Sequence, residues 1–486
     1  MLGKTDPQEN FFDAYVKDNF LPEEHELLEI KEKVDFSFIK GKTKDLYSEG
    51  FGRPSYPPEV MFKILFLEFY YNLSDVEVAG QLKFNVLFRY FVGLKAEDSI
   101  PDDTSLVVFR KRLGEKNFEE IFDEFIIQCK KRSLLEGKLK LIDATHIIAD
   151  VAIPNTTKLL QEGRKKVLRA IEREKKKLDD SLKRYYPEKS SRKPTKEDLE
   201  KEFILSKELI EKVKGKYSSR VEMEINLLEE AVQPEKKRKI VSFVDPDARF
   251  GRKTGTKKFA GYKAHIVEDE SQIVTSVETI PGNENEGSED NLESLLQKED
   301  KKGLTSEAVA CDALYDSLSN RKNIEKRKMK HYIPEKRKNK KLDSFIYSEK
   351  EDKLICQEGC SSIGKSRQGD GYLYYFSSDF CKTCNKMKEC SLNKDRARVY
   401  VSKSHLLYLK NASEERKKAQ KKRKRIEAKF GEAKKHHGMT RARYRGRWKV
   451  SIQVFMTFIV MNLKRVVKLL KMRENSVRLA FSLRTI

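Results

Sequence analysis

The chain has 486 residues, too many for one hydrophobic core, so we expect two or more domains. Charged residues make up 37% of the chain, against about 25% in an average protein, and the formal net charge is +24. This balance excludes an acidic binding protein and favours a polyanionic partner, either nucleic acid or an anionic membrane surface. Hydrophobic residues still make up 38%, enough to bury real cores, so the chain is not a disordered basic tail.

The positive charge is concentrated in the C-terminal part of the chain. Residues 401–486 hold about 25 Lys and Arg against about five acids, roughly +20, which leaves roughly +4 for the first 400 residues. We therefore expect the polyanion to bind the C-terminal part.

The sequence predicts neither secretion nor a membrane span. Met1–Gln8 is polar and no apolar segment follows it. The longest apolar run, near Ile452–Leu463, covers about a dozen residues, whereas a membrane-spanning helix needs about 20, so we expect a buried helix. Seven cysteines, five of them within Cys356–Cys390, do not resemble a disulfide framework. These features predict a cytoplasmic protein with no membrane partner.

Residues 1–136 are predicted to form an all-helical N-terminal domain. Pro57 and Pro58 precede a periodic apolar segment, and Ser74 and Glu77 have the spacing of a capping box. A later helix, after Pro101, carries basic residues. Short helices, tight turns and a basic second helix are typical of a helix-turn-helix DNA-binding domain, although an ordinary helical bundle explains the pattern equally well.

A strand pattern begins after Gly137 and predicts an α/β core. Residues 138–143 alternate like a half-buried strand, and residues 144–151 are its predicted hairpin partner. Further strands are predicted around a turn at 245–248, at 240–244, 261–267, 273–277 and 306–312.

Two insertions are expected to interrupt this core. Residues 158–235 have a charged helical pattern, whose charge runs are typical of a solvated face but could also touch DNA, and residues 333–400 are polar and contain cysteines. The core therefore consists of residues 137–157 and 236–332, completed by the basic helical residues 401–486, in which one long helix is predicted from 413 to 436.

Two acids end predicted strands. Asp143 follows Leu139 and Leu141 on one strand face, and Asp312 follows Ala308 and Ala310 on another. A carboxylate ending an apolar strand is costly unless it is paired or holds a metal, and ligands of α/β sheets gather at strand ends. Each acid alone could equally be a turn or helix-cap residue.

A third acid lies in the basic C-terminal helix. At 3.6 residues per turn, Arg423, Glu427 and Lys434 fall within roughly 60° of one another. The adjoining apolar stripe is expected to pack on the core and consists of Ile426, Phe430 and Ala433. Glu427 is then the preferred metal ligand, flanked by cations suited to phosphate. The alternative is a salt-bridged amphipathic helix.

The three acids and their surroundings resemble the catalytic motifs of bacterial insertion-sequence DDE transposases. Asp143 lies in Leu-Ile-Asp-Ala-Thr, Asp312 in Cys-Asp-Ala-Leu-Tyr-Asp-Ser, and the third motif is similar to the family's Tyr-Arg-Glu-Lys signature in the spacing of Arg423, Glu427 and Lys434. Gln420 replaces the tyrosine. The resemblance extends from about Tyr56 to Leu470. It implies a ribonuclease-H-like catalytic core with insertions, preceded by a helical DNA-binding domain, in a dimer bound to DNA at the bacterial nucleoid.

The chemistry of cutting and joining DNA suits these residues. Two divalent ions about 3.5–4 Å apart can activate an oxygen nucleophile and stabilise the leaving oxygen, and Mg²⁺, or Mn²⁺ in its place, binds carboxylates and phosphates. Asp143, Asp312 and Glu427 are the predicted ligands. Arg423 and Lys434 would grip the DNA backbone beside the scissile bond. His146 could lie near this site, although a packed strand histidine is the simpler interpretation.

A basic segment with aromatic residues follows Glu427 in the chain and is predicted to bind DNA. Such a pattern suits phosphate contacts with stacked bases, although a charge run is often just solvated surface. Its predicted DNA-binding residues are Arg441, Arg443, Tyr444, Arg445 and Trp448.

The cysteine-containing insertion carries a second metal hypothesis. Thiolates at this spacing can hold a tetrahedral structural zinc ion, with free thiols as the alternative and Cys360 as an alternate ligand. The four predicted ligands are Cys356, Cys381, Cys384 and Cys390.

These patterns lead to one main hypothesis and one from another class. The main hypothesis is a DNA transposase that binds the terminal inverted repeats of an insertion sequence and catalyses metal-dependent cleavage and strand transfer into target DNA. The alternative is a catalytically inactive DNA-binding protein derived from such an enzyme, which Gln420 slightly favours.

Overall fold

The structure is a computed structural model, and it describes residues 3, 11–48, 52, 54–95, 97–188, 194–233, 240–253, 256–336, 342, 345–386, 390, 397–411 and 413–482. The predicted boundary between residues 235 and 236 lies outside the described residues, as do parts of the cysteine-containing insertion.

The N-terminal region is helical, as predicted. Its α-helices are α1 (Phe11–Phe20), α2 (Glu26–Lys33), α3 (Phe38–Thr43), α4 (Pro58–Tyr70), α5 (Asp75–Phe84), α6 (Val86–Val92) and α7 (Asp103–Lys131). Ser74 and Glu77 form the predicted capping box, and α4 begins at Pro58 and buries most of its side chains. Gly114 interrupts α7 with a φ of 64°, so two helical segments meet there at a kink.

A mixed seven-stranded sheet forms the centre of the molecule. Its strands are β1 (Leu139–Ile148), β2 (Ile240–Ser242), β3 (Asp245–Arg252), β4 (Lys258–Asp269), β5 (Val274–Pro281), β6 (Ala308–Ala310) and β7 (Lys330–Tyr332). The order is β2-β3-β4-β1-β6-β7, and β5 pairs with β4. Strand β1 is antiparallel to β4 and parallel to β6, which is in turn parallel to β7. On one side of β1 lie four strands, β2 to β5, that pair with one another in antiparallel fashion, and on the other side lie the two parallel strands β6 and β7.

Two predicted turns in this region are wrong. The predicted hairpin at residues 144–151 does not exist, because β1 runs without interruption and pairs with β4 from Lys140 to Ile148. Residues 143–148 contain no Gly, Pro or Asn, the residues that most readily form a turn, so the segment continues as one strand. The turn predicted at 245–248 lies instead at Phe243 and Val244, and Asp245 already belongs to β3.

The sheet is covered by helices on both faces. On one face, α12 (Glu289–Lys301) and α13 (Leu318–Lys326) contribute to a core that includes Ile142 and Val309. On the other face, α4, α7 and the C-terminal helices share one core with the sheet residues Leu141 and Ile147. The N-terminal helices and the α/β region are therefore packed as one body.

Both insertions are folded units. The first contains α8 (Thr156–Lys175), α9 (Asp180–Lys183), α10 (Lys196–Val213) and α11 (Ser219–Val232), which enclose a core of their own. The second contains β8 (Ile346–Ser348), β9 (Lys353–Ile355), β10 (Gly364–Gln368), β11 (Gly371–Tyr375), α14 (Ser378–Lys382), β12 (Arg398–Ser402) and α15 (Lys403–Lys410).

The C-terminal part is helical and basic. The predicted helix 413–436 is divided at Lys424 into α16 (Ser413–Arg423) and α17 (Arg425–His436). The last helix, α18 (Arg447–Ser482), is long and apolar enough to span a membrane by length and composition. However, 89% of its most apolar window is buried inside the protein, against α7, β5, α4 and α2. It therefore has the surroundings of a core helix, as predicted.

Candidate active site

Asp143 and Asp312 lie on neighbouring chain segments, Asp143 within β1 and Asp312 two residues after the end of β6. Leu141 of β1 is paired with Ala310 of the parallel neighbour β6, and each aspartate stands two residues beyond its member of that pair. Parallel strands place equivalent positions next to each other, so the two aspartates are neighbours at the end of β6. Each side chain is partly buried.

The environment of the pair raises the pKa of both carboxyl groups. Burial raises the pKa of Asp143 to about 6, and the charge of Asp312 adds to this rise, while Arg423 and the Ala144 N–H oppose it. Burial also raises the pKa of Asp312, opposed by the Leu314 N–H and by Arg423. Two carboxylates that are both partly desolvated and close together create a site with a demand for positive charge.

Arg423 at the end of α16 meets part of this demand. Its Nη1 donates to Oδ2 of Asp143 at 2.6 Å. Gln420, one turn earlier, holds that helix in place: its Nε2 donates to the carbonyls of Cys311 (2.8 Å) and Tyr332 (2.5 Å) at the ends of β6 and β7. The Oε1 atom of Gln420 accepts from Nε of Arg423 at 3.2 Å. The residue at the motif's tyrosine position therefore orients the arginine that reaches Asp143.

Glu427 is placed differently from the two aspartates. It lies exposed near the start of α17, a helix that contacts β1. Within the described part of the chain its carboxylate has neither an ion pair nor a hydrogen-bond partner. The predicted apolar stripe of this helix, Ile426, Phe430 and Ala433, is buried.

The three acids do not form a ready-made metal site. No group of three or more His, Cys, Asp or Glu among the described residues is arranged to hold a metal ion. Mg²⁺ keeps several waters and is usually bound through one or two carboxylates plus substrate phosphates. Asp143 and Asp312 therefore fit one such ion by their chemistry, and Glu427 lies outside the pair.

Cations line the strand beyond Asp143. Lys434 of α17 lies 3.5 Å from Nδ1 of His146 on β1. Burial and the nearby Lys253 lower the pKa of Lys434 to about 8. Burial, Lys434 and Lys253 lower the pKa of His146 to about 4, and its ring packs on Phe259. Lys253, at the end of β3, was not predicted as a site residue, because only the folded sheet brings it to Lys434.

The predicted DNA-binding segment is largely engaged within the protein. Arg443 contacts the buried Glu68 at 3.0 Å and donates to Leu73 O and Asn72, and Tyr444 donates to the same carboxylate at 3.2 Å. Arg441 and Arg445 are exposed and face Asp150 at 3.2 and 4.0 Å. Trp448 is half-buried.

A buried polar layer supports the loop that follows Asp312. Tyr315 and His265 form a hydrogen bond of 2.7 Å, and burial lowers the pKa of His265 to about 3, so the ring is neutral. The buried Arg321 binds Asp316 at 2.8 Å and the carbonyl of Ile333 at 3.0 Å. This layer was not predicted, because its partners are far apart in the sequence.

The cysteines of the second insertion are neighbours. Burial raises the pKa of the Cys381 thiol, and the charges of four neighbouring thiolates add to this rise. They belong to Cys360, Cys390, Cys356 and Cys384. In the part of the chain that the structure describes, however, no three of these thiols form a metal-binding arrangement. Zinc binding by Cys356, Cys381, Cys384 and Cys390 therefore stays a prediction.

The mixed sheet with helices on both faces defines an α/β protein. Its site, an aspartate pair at adjacent parallel strands with cations nearby, suits a divalent ion and a phosphate-bearing ligand. Two family models match this chain: Transposase domain (DUF772) over residues 15–112 and Transposase DDE domain over residues 355–467. Together the two matches support an insertion-sequence DDE transposase. No solved structure matches it.

The two matches cover different parts of the molecule. The first coincides with the N-terminal helices from α1 into α7, and the second contains Glu427, the basic segment and most of α18. Asp143 and Asp312 lie between the matched ranges. The predicted family resemblance is confirmed, whereas the roles of individual residues are not tested by these matches.

Proposed function

We propose that the protein is a DNA transposase that binds the terminal inverted repeats of its element, cleaves the DNA there and joins the freed 3′-hydroxyls to target DNA. The observation that carries this proposal is the placement of Asp143 beside Asp312, with Arg423 at the pair, in a chain with two transposase domains. The strand arrangement around β1, antiparallel on one side and parallel on the other, supports a ribonuclease-H-like core.

The proposed ligands of the divalent ions, Mg²⁺ or Mn²⁺, are Asp143, Asp312 and Glu427. When bound, such ions activate an oxygen nucleophile and stabilise the leaving oxygen in phosphodiester chemistry. Asp143 must be ionised to serve as a ligand, and its pKa of about 6 makes that form dominant at neutral pH. Glu427 has no partner to give up among the described residues.

Arg423 and Lys434 are the proposed phosphate contacts of the site. Arg423 already lies at Asp143, so it can turn from the carboxylate toward a scissile phosphate when a metal ion supplies the positive charge. Lys434 is partly buried beside a neutral His146, and an anionic phosphate would stabilise its charged form. Arg441, Arg445 and Trp448 would extend the contact along the DNA, and a dimer would hold two element ends.

The test is cleavage of labelled inverted-repeat duplex with Mg²⁺ or Mn²⁺. Asp143→Asn should lower the rate by more than the roughly 10–100-fold that loss of an outer-shell partner costs. The matched control is Asp150→Asn, the same change at an acid seven residues further along the chain whose side chain is 49% exposed, and it should cut at a near wild-type rate. If wild type binds the ends but never cuts them under these conditions, the protein is the catalytically inactive DNA-binding protein instead.

A further inference from the structure

The helical insertion contains a cationic cleft that neither transposase domain covers. It lies between α8 and α11, has a volume of about 420 Å³, and is lined chiefly by charged side chains. Its cations are Lys166, Arg169, Arg173 and Arg220, and its acids are Glu174 and Glu224.

The cations on α8 form one stripe. Lys166, Arg169 and Arg173 are spaced by three and four residues, so they lie on one face of the helix. From the first to the last, the stripe is about 10 Å long at a rise of 1.5 Å per residue. Arg220 faces it from the first turn of α11. The stripe is therefore long enough to follow consecutive phosphates of a nucleic-acid strand.

The three arginines are available to an external anion. Arg169, Arg173 and Arg220 are exposed, and within the described residues none of them has an ion pair with a carboxylate. Lys166 is held by the carbonyl of Phe243 and lies 4.0 Å from Glu224. A cation on the surface without an acidic partner keeps its full attraction for a polyanion.

The acids of the cleft do not neutralise it. Glu174 accepts hydrogen bonds from the backbone N–H and the hydroxyl of Ser218 at the start of α11, and Glu224 faces Lys166. Each carboxylate is thus directed at a group other than the three arginines. The cleft keeps an excess of two positive charges, from four cations and two acids.

The insertion is attached firmly to the sheet that carries Asp143. Helix α8 begins at Thr156, shortly after β1 ends at Ile148. The bond from Lys166 to Phe243 and the ion pair of Glu230 with Arg249 (3.6 Å) connect α8 and α11 to the β2–β3 region. A ligand in the cleft is therefore held at a fixed position relative to the aspartate pair.

We propose that this cleft binds the sugar-phosphate backbone of double-stranded DNA outside the segment held at the aspartate pair. The proposal rests on the proposed function in one respect, that the polyanion is DNA. The contact is independent of base sequence, because the exposed groups of the cleft are cations suited to phosphate oxygens.

The experiment measures DNA affinity against salt concentration for a fluorescent duplex of arbitrary sequence, without divalent ions. One variant carries Arg169→Gln, Arg173→Gln and Arg220→Gln. The matched control carries Lys196→Gln, Lys201→Gln and Lys207→Gln on α10, which removes the same charge from exposed positions of the same insertion. Melting curves establish that both variants are folded. Since each lost phosphate contact lowers the salt slope by about 0.9, the arginine variant should lose up to about 2.7, and the control should keep the wild-type slope.

The proposal would be overturned by equal slopes in the arginine variant and wild type, or by equal losses in both variants. A loss confined to duplex RNA would also overturn it, because it would assign the cleft to another partner. These results are separable from failure of the proposed function. A wild-type protein that cuts element ends while the arginine variant keeps its full slope disproves only the cleft, whereas a wild-type protein that binds no DNA disproves both.

Discussion

The basic segment at residues 441–449 and the cationic cleft of the helical insertion differ in whether their arginines have carboxylate partners, which the sequence alone does not show. The segment has the denser charge, yet Arg443 is bound to the buried Glu68, and Arg441 and Arg445 face Asp150. The arginines of the cleft have no carboxylate partner among the described residues. The availability of a cation thus depends on which acids the fold brings to it. Charge density along the chain does not decide it.

Glu68 is the centre of the paired region. It is 2% exposed and lies between Arg443 at 3.0 Å and Arg110 at 3.3 Å, with the Tyr444 hydroxyl at 3.2 Å. Arg110 also binds Asp75. This network joins the N-terminal helices to the segment that follows α17, so we expect its main contribution to be stability, and we expect DNA affinity to depend more on the unpaired cations.

The largest expected effect comes from breaking this network. Arg443→Ala should lower the free energy of unfolding by roughly 3–5 kcal/mol at pH 8, because it removes the ion pair with the buried Glu68 together with the hydrogen bonds to Leu73 and Asn72. The matched control, Arg445→Ala, removes an exposed arginine two residues away and should stay within about 0.5 kcal/mol of wild type. Chemical denaturation measures both. Equal losses in the two variants would contradict the distinction between paired and exposed arginines.

The second effect is a pH dependence centred on Glu68. Burial raises the pKa of Glu68 from 4.5 to about 7, with Asp75 adding to the rise and Arg110 and Arg443 opposing it. Because the folded pKa lies above the unfolded value, the stability from the protonated form is complete below about pH 4.5 and is lost as pH rises through 7. The full difference is about 3 kcal/mol.

Comparison with Glu68→Gln isolates this contribution. The amide cannot ionise, so the free energy of unfolding of wild type relative to this variant should fall as pH rises from 5 to 8. Denaturation at several pH values, at constant ionic strength, measures the difference. A difference that is flat or increases with pH would show that the two arginines outweigh the burial of the carboxylate.

Local features of this fold were predictable, whereas long-range pairs were not. Pro58 and the Ser74 capping box marked helix starts correctly, and the buried stripe of α17 follows from its 3.6-residue period. The hairpin after Asp143 was predicted wrongly, because alternation reveals a strand but not the length over which its partner pairs with it.

The same limit applies to the site. Both aspartates were predicted to end apolar strands. Asp312 does follow β6, whereas Asp143 lies in the middle of β1, which continues to Ile148. The partners of Arg443 and Gln420 are 375 and 109 residues away, at Glu68 and Cys311, and no local pattern announces them. The helical periodicity of the sequence correctly predicted that Glu427 lies on a helix. It did not predict the break at Lys424, which divides the expected single helix into α16 and α17.

The smallest expected effect concerns Arg423, a cation that is paired and also belongs to the candidate site. Gln420 donates to two strand-end carbonyls and accepts from Arg423. Gln420→Ala should therefore lower the free energy of unfolding by about 1–2 kcal/mol, through the lost hydrogen bonds and the unsatisfied carbonyls. Lys421→Ala, at the exposed neighbouring position of the same helix, should stay within about 0.5 kcal/mol of wild type.

Cleavage separates a positioning role for Gln420 from a purely structural one. If Gln420 orients Arg423 at Asp143, Gln420→Ala should slow cleavage by roughly 10-fold or more even at a temperature where the variant is fully folded, as expected for an outer-shell partner. Gln420→Glu keeps an acceptor for Arg423 but loses the donor to the carbonyls. It should therefore retain more activity than the alanine variant while losing similar stability. Activity that simply follows stability in both variants would assign Gln420 to the packing of α16 alone.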